Sequence, residues 1–301
     1  MTKLSPKPAG ESQTGVTELP CDWPGLSLTG HVTENVTAPA RDSAAVSHPG
    51  LVTLVLSLFP GIDLLGKGFE LAGFCVVRGP DLIYGGDIRS FNPPAGNFGG
   101  VIGGPPCQDF SKKRRTPPTG YGLKMLNEFK RIVTQASPEW WLMENVPEVP
   151  DMKIDGYSWQ RIDLSANEFG LTQNRRRHFQ YGSRDGAALI VPRGVTNAAT
   201  DPCCLASEGE KSDRRSWADF CELQGLPRDF KLPGLTRPAA YRAVGNGVPV
   251  PMAYAIAHAI KNPVDGIPCS CGCGRPVTGK ANYAGPACRK RMQRRRELCL
   301  P

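Results

Sequence analysis

Leu51-Val52-Thr53-Leu54-Val55-Leu56-Ser57-Leu58-Phe59-Pro60-Gly61-Ile62-Asp63 is the stretch that decides the fold. Its first part, Leu51 to Leu58, is apolar apart from Thr53 and Ser57, and reads as a strand buried on both faces; a half-exposed strand would alternate apolar and polar residues. Phe59-Pro60-Gly61 is turn chemistry. Beyond it Leu64, Leu65, Gly68, Phe69 and Ala72 recur at helical intervals until Gly73 stops the run, so strand, turn and helix follow one another.

The same alternation continues. Phe74 to Val77 reads as the next strand and Val101-Ile102 as another buried one, and Leu123, Leu126, Phe129, Ile132 and Val133 fall on one face of a helix between about Tyr121 and Gln135, stopped by Ser137-Pro138. Strand-like runs follow at Glu139 to Met143, Ser158 to Leu164 and Arg177 to Gly182. The pattern implies an α/β, Rossmann-like sheet with helices on both faces, in which ligands bind at the carboxyl ends of strands. Three polar motifs fall where that rule expects a site. Gly103-Gly104-Pro105-Pro106-Cys107-Gln108 follows Val101-Ile102, Glu144-Asn145-Val146 follows Trp140-Trp141-Leu142-Met143, and Gln173-Asn174-Arg175-Arg176-Arg177 adjoins the last strand. A cysteine on a Gly/Pro-rich loop at a strand end is exposed and rigidly aimed, as a nucleophile must be.

Composition sets bounds. With 301 residues, 40% hydrophobic and 21% charged, the chain can bury a full core. No run approaches the roughly 20 apolar residues of a membrane helix, and Met1 to Gly50 lacks the pattern of a signal peptide, so a soluble, cytoplasmic protein is expected. Eleven cysteines, several clustered near the C-terminus and one on the Gly/Pro loop, read as thiols or metal ligands rather than disulfides. The formal charge is +8, and from Asp265 onward eight Lys/Arg stand against two Asp/Glu, so most of the excess lies in the tail. A near-neutral body with a cationic extension implies a polyanionic partner.

These motifs and their order resemble the DNA cytosine-5 methyltransferases over about residues 51 to 260. The resemblance implies S-adenosylmethionine as methyl donor and double-stranded DNA as partner, with the target cytosine flipped out of the stack. Carbon 5 of cytosine is a weak nucleophile, so a thiolate must first add to C6. By resemblance that thiolate is Cys107, with Glu144 at the N3 and amino edge and Arg175 and Arg177 orienting the site and holding O2. Lys112, Lys113, Arg114 and Arg115 then meet phosphates. The donor is expected on Phe59, Gly61, Asp81, Asp87, Ile88, Pro105, Asn246 and Val248, where Asp81 grips ribose and Asp87 the adenine amino group. The interval from Asp81 to Asp87 is too short for the usual helix. Ser57 and Asp63 depart from the family, which carries Asp and Gly at those places.

The expected organisation is a disordered arm over 1–50, a catalytic core over 51–182, a short target-recognition segment over 183–216, a return to the core over 217–262 and a basic tail over 263–301. In the tail, Cys269-Ser270-Cys271-Gly272-Cys273 precedes Cys288 by fourteen residues. Four thiolates, Cys269, Cys271, Cys273 and Cys288, can close a tetrahedral zinc site. The segment resembles a small zinc finger in which Ala284 occupies one ligand place and Cys269 or Cys271 substitutes; an unmetallated basic tail is the alternative. The sequence thus points to a monomeric, DNA-associated enzyme of a prokaryotic or phage-infected cell, in or outside a restriction-modification system. An RNA methyltransferase and a non-catalytic DNA-binding regulator of the same fold are the competing readings.

Overall fold

The computed structural model describes residues 53–111, 114, 116–193, 197–263, 266–271, 275–277 and 281–298, without the side chains of 294–298. The expected N-terminal arm, Lys112, Lys113, Arg115, Cys273 and Cys299 lie outside these residues.

Leu54–Leu58 (β1), Cys75–Arg78 (β2), Gly100–Gly103 (β3), Trp140–Asn145 (β4), Ser158–Ser165 (β5) and Arg176–Ser183 (β6) form one sheet in the order β2-β1-β3-β4-β6-β5. The first four strands are parallel, and β6 runs antiparallel to both β4 and β5. Both faces are covered, which is why Val55, Leu56 and Leu58 are all at most 1% exposed and the strand reads as a continuous apolar run. On one face lie helices Leu64–Leu71 (α1) and Val250–Lys261 (α5), whose Phe69, Met252, Ala253 and Ile256 share a cluster with Val55, Ile102 and Leu142. The two helices touch at Gly68, where an added Cβ would sit 2.4 Å from that of Ala253. On the other face helix Tyr121–Ala136 (α2) packs Leu126, Phe129, Ile132 and Val133 against Leu56, Val101, Trp141 and Met143.

One residue of the expected α2 stripe is displaced. Leu123 is 52% exposed, and Gly122 and Met125 take the inner positions instead. At about 100° per residue Leu123 falls about 150° from the centre of the stripe set by Met125, Phe129 and Ile132, on the solvent side of the helix.

The interval from Asp81 to Asp87 holds no α-helix, only one 3-10 turn at Leu82–Tyr84, with a second at Ile88–Ser90 directly after it. After β6 the chain runs irregularly, with Leu189 and Val191 packed into the core. Helices Trp217–Leu223 (α3) and Arg237–Asn246 (α4) then build a third cluster from Cys204, Phe220, Tyr241, Val244 and Leu64. The tail forms a two-stranded pair, Ile267–Pro268 (β7) with Pro276–Val277 (β8), and a helix, Pro286–Leu298 (α6), around Cys269, Cys271 and Cys288. No helix among the described residues is long and apolar enough to cross a membrane.

Candidate active site

A cavity of about 290 Å³ opens at the carboxyl ends of β1, β3 and β4, and Cys107, Glu144 and Arg177 all line it. Cys107 follows β3 and opens the 3-10 turn Gln108–Phe110. Its loop is pinned at both sides. Asn145 Nδ2 donates to Pro105 O at 3.0 Å, tying the loop to the end of β4. The Asp109 carboxylate accepts from the backbone of Thr119 (2.9 Å) and Gly122 (2.8 Å), tying it to the start of α2. Burial pushes the Cys107 thiol above its usual pKa, Glu144 adds to the rise, and Arg177 opposes it.

Glu144 lies near the end of β4, and its Oε1 is 2.8 Å from Arg177 Nε. Gly104 makes room for it: a Cβ there would lie 3.0 Å from Glu144 Oε2. Burial raises the Glu144 pKa, against the pull of Arg177 and Arg175. The arginine motif was expected at a carboxyl edge. It lies instead at the amino end of β6, and reaches the site because β6 is antiparallel to β4, so that its start adjoins the end of β4.

The two arginines of the motif part company. Arg175 is outside the cavity lining and only 1% exposed. It donates to Cys204 O (2.8 Å), Gly245 O (2.7 Å) and Gly247 O (2.8 Å). Its guanidinium is a bolt between the start of β6 and the end of α4, leaving no fork for a substrate oxygen. Burial, followed by repulsion from Arg177, brings its pKa down to about 10. Of the expected pair, only Arg177 faces the cavity. The sequence assigned no role to Gln224, which continues the same bracing: Gln173 Nε2 donates to Gln224 Oε1 (2.8 Å), and Gln224 Nε2 to Val244 O (2.6 Å).

All eight residues expected at the donor line the same cavity: Phe59, Gly61, Asp81, Asp87, Ile88, Pro105, Asn246 and Val248. The turn after β1 is wound tightly, with φ of 53° at Phe59, 53° at Gly61 and 55° at Asp63. Left-handed backbone at a Phe is a costly conformation of the kind that concentrates at functional sites. Asp81 braces the turn, its carboxylate accepting from Gly61 N and from Ile83 N, both at 2.9 Å. A carboxylate has about four acceptor positions, so capacity for ribose hydroxyls remains. Asp87 is gripped by the Arg89 side chain and backbone, which hold its pKa down to about 2. Beside it Leu82 and Ile83 line the cavity while 64% and 61% exposed, an apolar mouth suited to a flat ring. The donor set therefore fits an adenosine with a charged tail.

Ser57 and Asp63, the two departures, turn out to be partners. Ser57 Oγ donates to Asp63 Oδ1 at 2.8 Å, Gly66 N to the same oxygen at 3.0 Å, and Arg78 Nε lies 3.0 Å from Asp63 Oδ2. The sequence carried no signal for Gly66 and Arg78, which complete the group. A Cβ at Gly66 would lie 2.3 Å from Asp63 Oδ2.

In the tail, the sulfurs of Cys269, Cys271 and Cys288 lie within 4.8 Å of one another. Those of Cys269 and Cys271 are 3.5 Å apart, and Ala284 N donates to Cys269 Sγ at 3.1 Å. Two thiolates bound tetrahedrally at about 2.3 Å from zinc would be about 3.8 Å apart, so this donor set fits the metal. Ala284 thus serves the cluster through its backbone.

Residues 83–202 and 207–262, more than half the chain, match the model of the C-5 cytosine-specific DNA methylase family. The chain belongs to that family. The match begins after the turn that carries Ser57 and Asp63. The chain is 27% identical to the type II methylase M.HgiDII of Herpetosiphon aurantiacus over 47% of its own length and 50% of that protein. It is 31% identical to the type II methyltransferase M.SacI of Streptomyces achromogenes over 37% of its length and 32% of the relative. It therefore spans half or less of these relatives. Among solved structures, a DNA modification methyltransferase encoded within an E. coli prophage superposes with a TM-score of 0.52 at 16% identity, covering 69% of this chain and 98% of that one. The Entamoeba histolytica methyltransferase EhMeth gives 0.54 at 13% identity, covering 69% and 97%. This methylase-family chain shares their fold, a mostly parallel α/β sheet of the Rossmann-like type.

Proposed function

We propose that the protein transfers a methyl group from S-adenosylmethionine to C5 of a cytosine flipped out of double-stranded DNA, through a covalent Cys107–C6 adduct. The observation that carries this is the meeting of Cys107, Glu144 and Arg177 in the one cavity that also holds Phe59, Asp81 and Asp87. The bound donor supplies an electrophilic methyl on a sulfonium centre, held by Phe59, Gly61, Asp81, Asp87, Ile88, Pro105, Asn246 and Val248.

The Cys107 thiolate forms the S–C6 bond, and electron density moves toward N3 and O2. Burial raises the Glu144 pKa, which eases delivery of a proton to N3 as charge builds there; Arg177 stabilises charge at O2. Carbon 5, now nucleophilic, would take the methyl group as the donor's sulfonium–methyl bond breaks, leaving S-adenosylhomocysteine. Loss of the C5 proton to water and cleavage of S–C6 then release 5-methylcytosine and restore the thiolate. Arg175 acts only by positioning: it holds the chain that aims Arg177.

The test is transfer of labelled methyl to unmethylated duplex DNA by wild type and Cys107→Ala, with bisulfite sequencing of the product. Product from wild type that vanishes in the variant supports the reading. Donor binding without transfer to DNA, or transfer to tRNA instead, overturns it.

The same proposal includes a structural zinc on Cys269, Cys271 and Cys288, with Cys273, outside the described residues, as the expected fourth ligand. A module whose buried cluster, among the described residues, is little more than three cysteines and Val277 needs such a staple to hold α6 in place. Metal analysis of the purified full-length protein should find one zinc per chain, lost in Cys288→Ser. Zinc-free protein that does not take up zinc would end this part of the reading.

A further inference from the structure

We propose that a second groove, between the start of α3, the loop Asp229–Leu235 and the first turn of α4, binds the phosphate backbone of the DNA beside the target cytosine. The inference rests on the methyltransferase reading and deepens it, since it says where this chain, with so short a recognition segment, holds its substrate.

The groove has a volume of about 820 Å³ and is lined by Arg214, Arg215, Lys231 and Arg237 against a single carboxylate, Asp229. Not all of that charge is available. Arg215 is spent on Glu208, with Nε 2.6 Å from its carboxylate, and on the carbonyl of Pro202 at 2.9 Å. Arg214 donates to Lys211 O at 3.0 Å, a contact that leaves its charge uncompensated. Lys231 and Arg237 are exposed and make no ion pair or side-chain hydrogen bond among the described residues. Two cations without ion-pair partners among the described residues at one rim, and a third, Arg214, held by the Lys211 carbonyl and the Tyr241 hydroxyl and by no carboxylate, make a surface complementary to a polyanion.

The floor is rigid. Trp217 lies 5.1 Å from Tyr241 and 6.4 Å from Phe220, centroid to centroid, and donates through Nε1 to Phe230 O at 2.6 Å. With Leu235 beside it at 40% exposure, the groove pairs an apolar floor with a cationic rim, as a sugar-phosphate strand requires.

Its place in the fold decides the occupant. Arg237 opens α4, while Ala243 and Asn246 of the same helix line the cavity that holds Cys107. At about 1.5 Å per residue, Arg237 is about 9 Å along the axis from Ala243. That is between two and three base steps at about 3.4 Å each. Duplex DNA with a base in the cavity has backbone within reach of Lys231 and Arg237. These residues lie outside the segment 183–216 in which the sequence placed target recognition.

The test uses full-length protein and a fluorescent 30-base-pair duplex, with affinity measured over a salt series for wild type, Lys231→Ala/Arg237→Ala and the corresponding double Glu variant. Both side chains are exposed and unpartnered, so melting temperature and S-adenosylhomocysteine affinity should not move. The double Ala variant should bind DNA about tenfold more weakly, and the slope of log affinity against log salt should fall by about two. The Glu variant should bind more weakly still. An unchanged slope in a protein that still methylates DNA would overturn the groove alone. Wild type that neither binds nor methylates duplex DNA would overturn both this proposal and the reading beneath it. A slope change with tRNA but not with duplex DNA would overturn the assigned occupant.

Discussion

Arg177 Nε lies 2.8 Å from Glu144 Oε1, with only 15% and 12% of the two side chains exposed. The pair spans adjacent antiparallel strands, and it exists because β6 inserts beside β4 in the reverse direction. Shielded from water, the two groups can act on N3 and O2 of a pyrimidine with little competition from solvent. Glu144→Gln keeps an acceptor for Arg177 but cannot deliver a proton. Single-turnover methyl transfer should slow by about 100-fold or more, with S-adenosylhomocysteine affinity unchanged. A rate within threefold of wild type would remove Glu144 from the chemistry.

The Cys107 thiol should behave as a weak acid. Burial and then Glu144 raise its pKa, while Arg177 lowers it, so the thiolate fraction at neutral pH is small and grows as pH rises past the ordinary thiol range. Alkylation of Cys107 by iodoacetamide in the free protein should accelerate steadily from pH 7 to 9.5. The sign of each neighbour is testable at pH 8: Glu144→Gln removes negative charge and should speed alkylation, whereas Arg177→Ala removes positive charge and should slow it. The opposite order would mean that the local charges are not arranged as described.

Arg175 and Arg177 should fail in different ways. Arg175 is buried and committed to three backbone carbonyls, so Arg175→Lys, which cannot reproduce the planar fork, leaves carbonyls without donors and should cost about 3 kcal/mol. Arg177→Lys should melt near wild type and lose methyl transfer. Chemical denaturation beside a turnover assay separates the two, and equal stabilities would contradict the bolt assigned to Arg175.

That contrast also marks what the sequence could reveal. The β1–turn–α1 unit was legible because a strand buried on both faces and a helix stripe leave different periods, and Cys107, Glu144 and Arg177 could be picked out because their motifs stand at strand ends and resemble those of the cytosine-5 methyltransferases. The direction of β6 left no trace, since an interior strand is apolar whichever way it runs; Phe179 and Tyr181 would be buried in either sense. Nor could spacing tell Arg175 from Arg177. The carbonyls that hold Arg175 belong to Cys204, Gly245 and Gly247, distant in sequence and brought close only by the packing of α4. The Ser57–Asp63 pair was visible only as two departures, because the hydrogen bond that makes them one feature is tertiary.

Asp63 gives the sharpest test of that feature. It takes left-handed backbone at φ 55°, which costs a non-glycine residue about 1 kcal/mol, and recovers it by accepting from Gly66 N at the start of α1 and from Ser57. Asp63→Ala keeps the strain and loses the cap, so it should destabilise by about 2 kcal/mol. Asp63→Gly relieves the strain and loses the cap, and should cost about half as much. Because Ser57 Oγ is only 2.8 Å from Asp63 Oδ1, a carboxylate grown from position 57 reaches the space that Asp63 vacates. The exchange Ser57→Asp/Asp63→Gly should therefore melt above Asp63→Gly alone, by about 2 °C or more for a domain of this size. A double variant less stable than the single one would show that the two positions do not share one role, and that the turn under the donor site is held by other contacts.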